Sequence, residues 1–318
     1  MIPVKNGARF LEESIKSVLN QSVKPNEIIV VNDHSEDETP NLVREISNRA
    51  SESIILIDNV SHGVSAARNT GIENASNDCI ALLDVDDLWL PGKMKRQLNI
   101  YSNTKLVHTG YFLVDETLNE IKVCSPENIP NVDSIYSQEY LVTGSSSSVV
   151  FSKMKFIEAG RFDESLAIAE DLDLWIRMSS IVEIIGLQEP LIKIRRHNLS
   201  VQSDGRNLEY LHKELLSLTK VWNKNRHLSP MTKFPINNVI SDYFAATKFS
   251  PIYLFRMIFN LEFMSSYLTF TNTSRFQPFE LYLIRFFKVI KYKAMLFIRG
   301  NKVFRGLHKT ILILLRKI

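Results

Sequence analysis

Carboxylates carry the first chemical signal in this 318-residue chain: Asp33, and then Asp84, Asp86 and Asp87 in the run Leu83-Asp84-Val85-Asp86-Asp87. Each group follows a short apolar run, Glu27 to Val31 or Cys79 to Leu83, that reads as a strand. In an open α/β sheet ligands bind outside the carboxyl ends of the strands, so these side chains are expected to converge on one site. Clustered carboxylates there suit Mg2+ or Mn2+, hard cations that take oxygen ligands and bridge to phosphates. A plainer reading of Asp86 and Asp87 stands beside this one: a turn that caps a helix near Pro91. Further along, Glu170, Asp171 and Asp173 open a helical pattern, where the dipole favours anions and capping alone accounts for acids. A carboxylate there could equally serve as a general base. His197, expected after a strand, is either an ordinary polar histidine or a ligand.

The elements that must hold these residues alternate β-rich runs with helical ones over the first two hundred positions, the pattern of β-α-β units. Leu11, Ile15, Val18 and Leu19 share one face of a first helix. Thr39 and Pro40 read as a cap and first residue of a second helix, with Leu42, Val43 and Ile46 inward. Ser53 to Ile57 is a strand, Val64 to Ala75 a helix, and Cys79 to Leu83 a strand buried on both faces. A hairpin is expected within Lys105 to Val123, turning around Asp115 to Asn119, and a strand follows the serines before Phe151. The helix Glu170 to Ser179 is expected to turn Leu172, Trp175, Ile176 and Ser179 to one side. Trp89 reads as core or cleft packing, with stacking on a sugar as its functional alternative. Beyond Asp204 only helical patterns remain, including the face Leu208, Leu211, Leu215 and Leu218.

Bulk properties narrow the classes. At 45% hydrophobic residues the chain can bury a large core, and Lys+Arg 38 against Asp+Glu 35 gives no general reason to expect nucleic acid. Two cysteines are too few for a disulfide framework and fit a reducing compartment. Met1 to Asn6 has no secretory pattern and no run of eighteen residues is free of charge, so a cytoplasmic protein is expected. From Phe279 onward ten Lys or Arg face the single acid Glu280, interleaved with apolar residues. Such a tail either lies peripherally on a membrane surface or forms an ordinary helical subdomain with its cations in water.

Several segments in order resemble the inverting family 2 glycosyltransferases of the GT-A fold: Ile2-Pro3-Val4-Lys5-Asn6-Gly7, Val30-Val31-Asn32-Asp33-His34-Ser35, His62-Gly63-Val64-Ser65-Ala66-Ala67-Arg68-Asn69 and Leu83 to Asp87. The resemblance continues through Gly160 to Glu164, Glu170 to Trp175 and Arg195 to Ser200. It implies an α/β, GT-A-like (Rossmann-like) domain over 1–204, with a mixed, mostly parallel sheet flanked by helices, followed by an all-helical, basic amphipathic extension over 205–318. It further implies a sugar moved from a UDP-, GDP- or dTDP-sugar to a hydroxyl of a saccharide or lipid-linked saccharide, with Mn2+ or Mg2+, in bacterial surface-polysaccharide assembly. By the same resemblance Pro3, Val4, Lys5 and Asn6 form the loop against the base, Asp33 bonds the base edge, and Arg68 lies near the nucleotide. Asp84 opens the DXD-type motif, Asp86 contacts the ribose or sugar phosphate, Asp87 ligates the metal, and His197 approaches the metal or diphosphate. Asp171 is similar to the general base, with Glu170 beside it at the sugar.

Two departures bear on activity. Lys5 stands where many relatives stack an aromatic residue on the base. Met1 leaves little room for a first strand, and a shortened strand would cost ladder hydrogen bonds and buried surface under the nucleotide loop. That keeps a non-catalytic binding or scaffold protein of the same fold as an alternative. A nucleotidyltransferase, which also uses strand-end acids, is the other; it calls for a Gly-rich basic loop that Pro3 to Phe10 does not resemble. The serines Ser145 to Ser148 are expected to line the sugar-selecting loop.

Overall fold

The computed structural model describes residues 1–126, 142, 145–197, 213, 217, 220, 221, 224 and 225, all within one compact unit, Met1–Arg256. The expected helices of the C-terminal extension, apart from those six positions, lie outside the described residues.

The N-terminal half is built from parallel crossovers. Strand β1 (Ile2–Val4) leads through α1 (Ala8–Leu19) to β2 (Glu27–Asn32), and α2 (Thr39–Arg49) carries the chain to β3 (Ser53–Asp58). The order is β1-β2-β3, parallel throughout, with Ile2 opposite Val30 and Val31 opposite Ile57. The 3.6-residue spacing buries Leu11, Ile15 and Val18 of α1 as expected, with Phe10 and Ser14 beside them. Thr39 is already helical: Glu38 holds the cap position, and the Thr39 hydroxyl instead accepts a hydrogen bond from the Gly7 N–H at 3.0 Å. Helix α3 (Val64–Glu73) ends two residues before the expected Ala75. It sits so close to the sheet that a Cβ on Gly71 would fall 2.9 Å from Val31 Cγ2, so only glycine fits.

The short first strand is fully integrated. Beyond its pairing with β2, the Met1 amine donates to Ala81 O at 2.9 Å and Leu83 N–H donates to Met1 O at 3.0 Å. These bonds join the first sheet to the second beside β4 (Cys79–Ala81).

The second sheet is assembled from β5 (Leu88–Trp89), α4 (Lys93–Leu98), β6 (Lys105–Val114), β7 (Glu120–Cys124), β8 (Val150–Ser152), α5 (Lys153–Glu158), α6 (Glu170–Ser179) and β9 (Glu183–Arg195). Its order is β4-β8-β6-β9-β5, with β7 on β6. Parallel pairing there is confined to β6 with β9, so the mixed sheet is less dominated by parallel strands than the alternation implies. The hairpin β6–β7 turns where expected because Asp115 Oδ1 accepts from Thr117 N–H and Asn119 N–H, each at 2.9 Å.

Two apolar clusters support the site. One packs Ile2, Val4, Leu11, Ile15, Val30, Leu83 and Trp89; the other packs Leu82, Leu106, Phe151, Phe162 and Trp175 under α6. The core does not stop at position 204. Val221 joins the second cluster, and Asn225 Nδ2 donates to Asp173 Oδ1 at 2.8 Å.

Candidate active site

The end of β2 makes one wall. Asp33 is 5% exposed, and its carboxylate accepts from Asn59 Nδ2 at 2.9 Å and from the Gly63 N–H at 3.0 Å. Burial works to raise its pKa, but these bonds, with His34 and the charge of Lys5, outweigh burial and hold it below the usual aspartate value. Gly63 aims its N–H from φ +98, a backbone region that favours glycine. An ionised carboxylate offers about four acceptor directions; three are used, leaving room for a ligand donor. His34 and His62 stack at 4.0 Å beside it, and with Asp33 they place three metal-ligand types within 4.8 Å.

The neighbouring loop differs from expectation. Pro3 and Val4 are buried in β1, Val4 within the apolar core, and Lys5 and Asn6 are exposed. Asn6 takes φ 52 and stitches the loop to the end of β2, its N–H donating to Ser35 Oγ and its Oδ1 accepting from the Glu36 N–H.

The acid run forms the floor, and its members separate. Asp86 Oδ2 lies 3.1 Å from His197 Nε2, on the segment following β9. Burial and the Asp84 charge push the Asp86 carboxyl up, against the pull of His197. Asp87 is 2% exposed and spent on the protein: Oδ2 accepts from Ser145 Oγ at 2.8 Å and Ser147 Oγ at 2.6 Å, and Oδ1 from the Arg195 N–H at 3.2 Å. Burial, Asp86 and Asp84 hold its carboxyl well above the usual range. Asp87 thus uses three of its acceptor directions on the protein, whereas Asp86 turns Oδ2 to His197 and is the freer carboxylate of the run. The turn of the plainer reading is present, with the Asp87 N–H donating to Asp84 O at 3.0 Å, but the cap is not, since α4 begins from Gly92 with no side-chain cap.

Sequence reading missed two organisers of this floor. Ser147, fully buried, donates to Asp87, accepts from the Asp84 N–H at 2.9 Å and offers its carbonyl to Trp89 Nε1 at 3.1 Å. Ser146 to Ser148 are thus buried beneath the acids, while Ser145 is partly exposed. Trp89, 5% exposed under Lys93, is likewise core and out of reach of a sugar. Arg195 is the second organiser: its Nε donates to Asp86 O, its Nη2 pairs with Glu13 Oε2 at 2.5 Å, and it lies over Phe10 at 4.9 Å. The Arg195-Arg196-His197 segment was visible as a motif, but nothing local distinguishes its arginine's role.

The opposite wall is α6. Arg68, from α3, reaches Asp84 at 2.9 Å and Glu170 at 2.8 Å. Asp171 is partly buried; burial first, then the Glu170 charge, push it up to about 6 against the nearby Arg68. The helix starts at Ala169 in the left-handed region with no side-chain cap, Glu170, Asp171 and Asp173 fall in its first turn where the dipole favours anions, and Asp171 Oδ1 accepts from the Leu172 N–H at 2.7 Å. Asp173 is fully buried between Arg177 and Asn225.

A mixed α/β sheet ending in a β2 carboxylate, an acid run and a facing carboxylate helix is the GT-A glycosyltransferase architecture. Solved structures agree on the fold: Staphylococcus aureus TarS 1-349 aligns at TM-score 0.53, 15% identity, over 85% of this chain and 77% of its own. A Pyrobaculum calidifontis mannosyltransferase, PcManGT, in complex with GDP-Man and Mn2+, aligns at TM-score 0.53, 14% identity, over 99% and 83%. Residues 1–153 match the model of glycosyl transferase family 2. An uncharacterized glycosyltransferase of Rickettsia typhi is 30% identical over 65% of this chain and 66% of its own length; one of Rickettsia prowazekii is 32% identical over 62% and 63%. The matches thus span slightly under two thirds of these relatives. Over residues 1–153 the chain thus matches glycosyl transferase family 2, and it shares its fold with the GT-A glycosyltransferases.

Proposed function

We propose that this glycosyltransferase moves a sugar, with inversion, from a nucleoside-diphosphate sugar to a hydroxyl of a saccharide or lipid-linked saccharide. The observation that carries the reading is that Glu170, the neighbour of Asp171, and Asp84 of the acid run meet across Arg68. Asp171, raised to about 6, is ionised at neutral pH yet basic enough to take a proton from the attacking hydroxyl. Asp33 accepts from the base edge, Lys5 stands near it without an aromatic stack, and Glu170 borders the sugar.

The ligand types suit Mn2+ or Mg2+. Two ligands at right angles on such an ion sit about 3 Å apart, and Asp86 Oδ2 and His197 Nε2 are 3.1 Å apart. Asp86 and His197 would hold the ion, which when bound offsets charge gathering on the departing diphosphate. Among solved neighbours, TarS in complex with UDP-GlcNAc and PcManGT with GDP-Man and Mn2+ support this class of donor and cofactor. A role in bacterial surface polysaccharide, with the basic tail on the inner membrane face, is the setting we favour. No helix among the described residues is long and apolar enough to cross a membrane.

Nucleoside-diphosphate release from a panel of UDP-, GDP- and dTDP-sugars with Mn2+ tests the reading. Asp171→Asn should lower turnover about 10²–10⁴-fold and Asp86→Ala should abolish the Mn2+ response. Nucleotide-induced thermal stabilisation without turnover of any donor would favour the binding-protein alternative instead.

A further inference from the structure

Arg68 is placed where nucleotide contact does not explain it. Its side chain is 6% exposed, and its two terminal nitrogens are divided between Asp84 Oδ1 at 2.9 Å and Glu170 Oε1 at 2.8 Å. One carboxylate belongs to the acid run and the other directly precedes Asp171. The guanidinium lies over Phe162 at 5.3 Å, and the next residue, Asn69, clamps the Phe162 backbone, accepting from its N–H at 3.0 Å and donating to its carbonyl at 3.1 Å. The start of α6 has no side-chain cap, so its first turn is tied to the rest of the site through this ion pair. A planar guanidinium can serve two carboxylates at fixed geometry, which lysine cannot.

Resting on the glycosyl-transfer reading above, we propose that Arg68 is a positioning residue that locks the Asp171-bearing helix against the acid run and keeps Asp171 in its ionised form. The charged groups facing Asp171 are Glu170 and Asp84, which oppose its ionisation, and Arg68, which favours it, with the Leu172 N–H as an added donor. Removing Arg68 leaves burial and two negative charges opposed only by the Leu172 N–H. Removing the charge of Glu170 acts in the reverse direction. A loss of packing alone would move neither.

The test compares wild type, Arg68→Met, Arg68→Lys and Glu170→Gln in the full chain. In Arg68→Met the acid limb of the pH profile for nucleoside-diphosphate release should move up by roughly one unit or more, with kcat near pH 6 at least about fivefold lower and donor KM little changed. Arg68→Lys should keep the limb near wild type with reduced kcat, and Glu170→Gln should move it down. If Arg68→Met does not fold, the contrast between an unmoved limb with reduced kcat in Arg68→Lys and a lowered limb in Glu170→Gln carries the test. An unmoved limb together with a large rise in donor KM would overturn the proposal and return Arg68 to nucleotide contact. Titration of the Asp171 carboxyl by 13C NMR in wild type and Arg68→Lys, set against Glu170→Gln, needs no donor. It therefore decides the role of Arg68 even if no sugar donor turns over, an outcome that would count against glycosyl transfer alone.

Discussion

Replacing Asp87 by alanine separates a structural acid from a metal-binding one. The substitution strands three donors: the Ser145 hydroxyl, the Ser147 hydroxyl and the Arg195 N–H. Ser145 is partly exposed and can turn to water, whereas Ser147 and Arg195 are buried. Each buried group left without a partner costs about 1–3 kcal/mol, so two cost about 2–6 kcal/mol. Against this, alanine relieves a carboxyl that burial and the neighbouring Asp86 and Asp84 hold well above its usual range, so the net loss falls to about 2–4 kcal/mol. For a domain of this size that lowers Tm by roughly 5–15 °C. Asp86→Ala strands no such pair of buried donors; it should melt within about 2 °C of wild type, in the range of a change away from the core, and lose stabilisation by Mn2+. The assay is thermal melting of both variants with Mn2+ and with chelator. If Asp87→Ala melted like wild type and lost the Mn2+ response while Asp86→Ala kept it, the assignment drawn from the hydrogen bonds would be wrong.

Two further outcomes follow from buried groups at either end of the site. Asp33→Ala should weaken binding of the free nucleoside diphosphate about 10–100-fold, the worth of a hydrogen bond to a charged acceptor; calorimetry with UDP, GDP and dTDP measures it, and undiminished affinity for all three would remove Asp33 from the base. Lys93 is fully buried, bonded to Gln97 Oε1 at 2.7 Å and over the Trp89 ring at 4.1 Å, and burial lowers its pKa to about 7. Because the folded state releases this proton more readily than the unfolded chain, its cost grows as pH falls from about 10.5 toward about 7 and is constant below. Lys93→Met should therefore raise Tm relative to wild type more at pH 6 than at pH 9; equal effects at the two pH values would contradict the burial argument.

The sequence by itself determined the local elements and the chemistry-bearing positions. Apolar spacing located α1, β2 and the strand leading to Asp84, because one buried face imposes one period. The Asp115 turn was legible because aspartate closes it within five residues. What the acids do was not legible. Asp86 and Asp87 are adjacent and chemically identical, yet one meets His197 across 111 positions and the other meets Ser145, Ser147 and Arg195 across 58, 60 and 108. Local periodicity carries no record of such partners. The same reason hides Ser147 as the hub of the floor and Val221 as part of the core, and turns Trp89 from a cleft aromatic into a buried one. The fold class follows from patterns within a few residues; the division of labour among its carboxylates was decided only when the second sheet brought β9 and the serines beneath them.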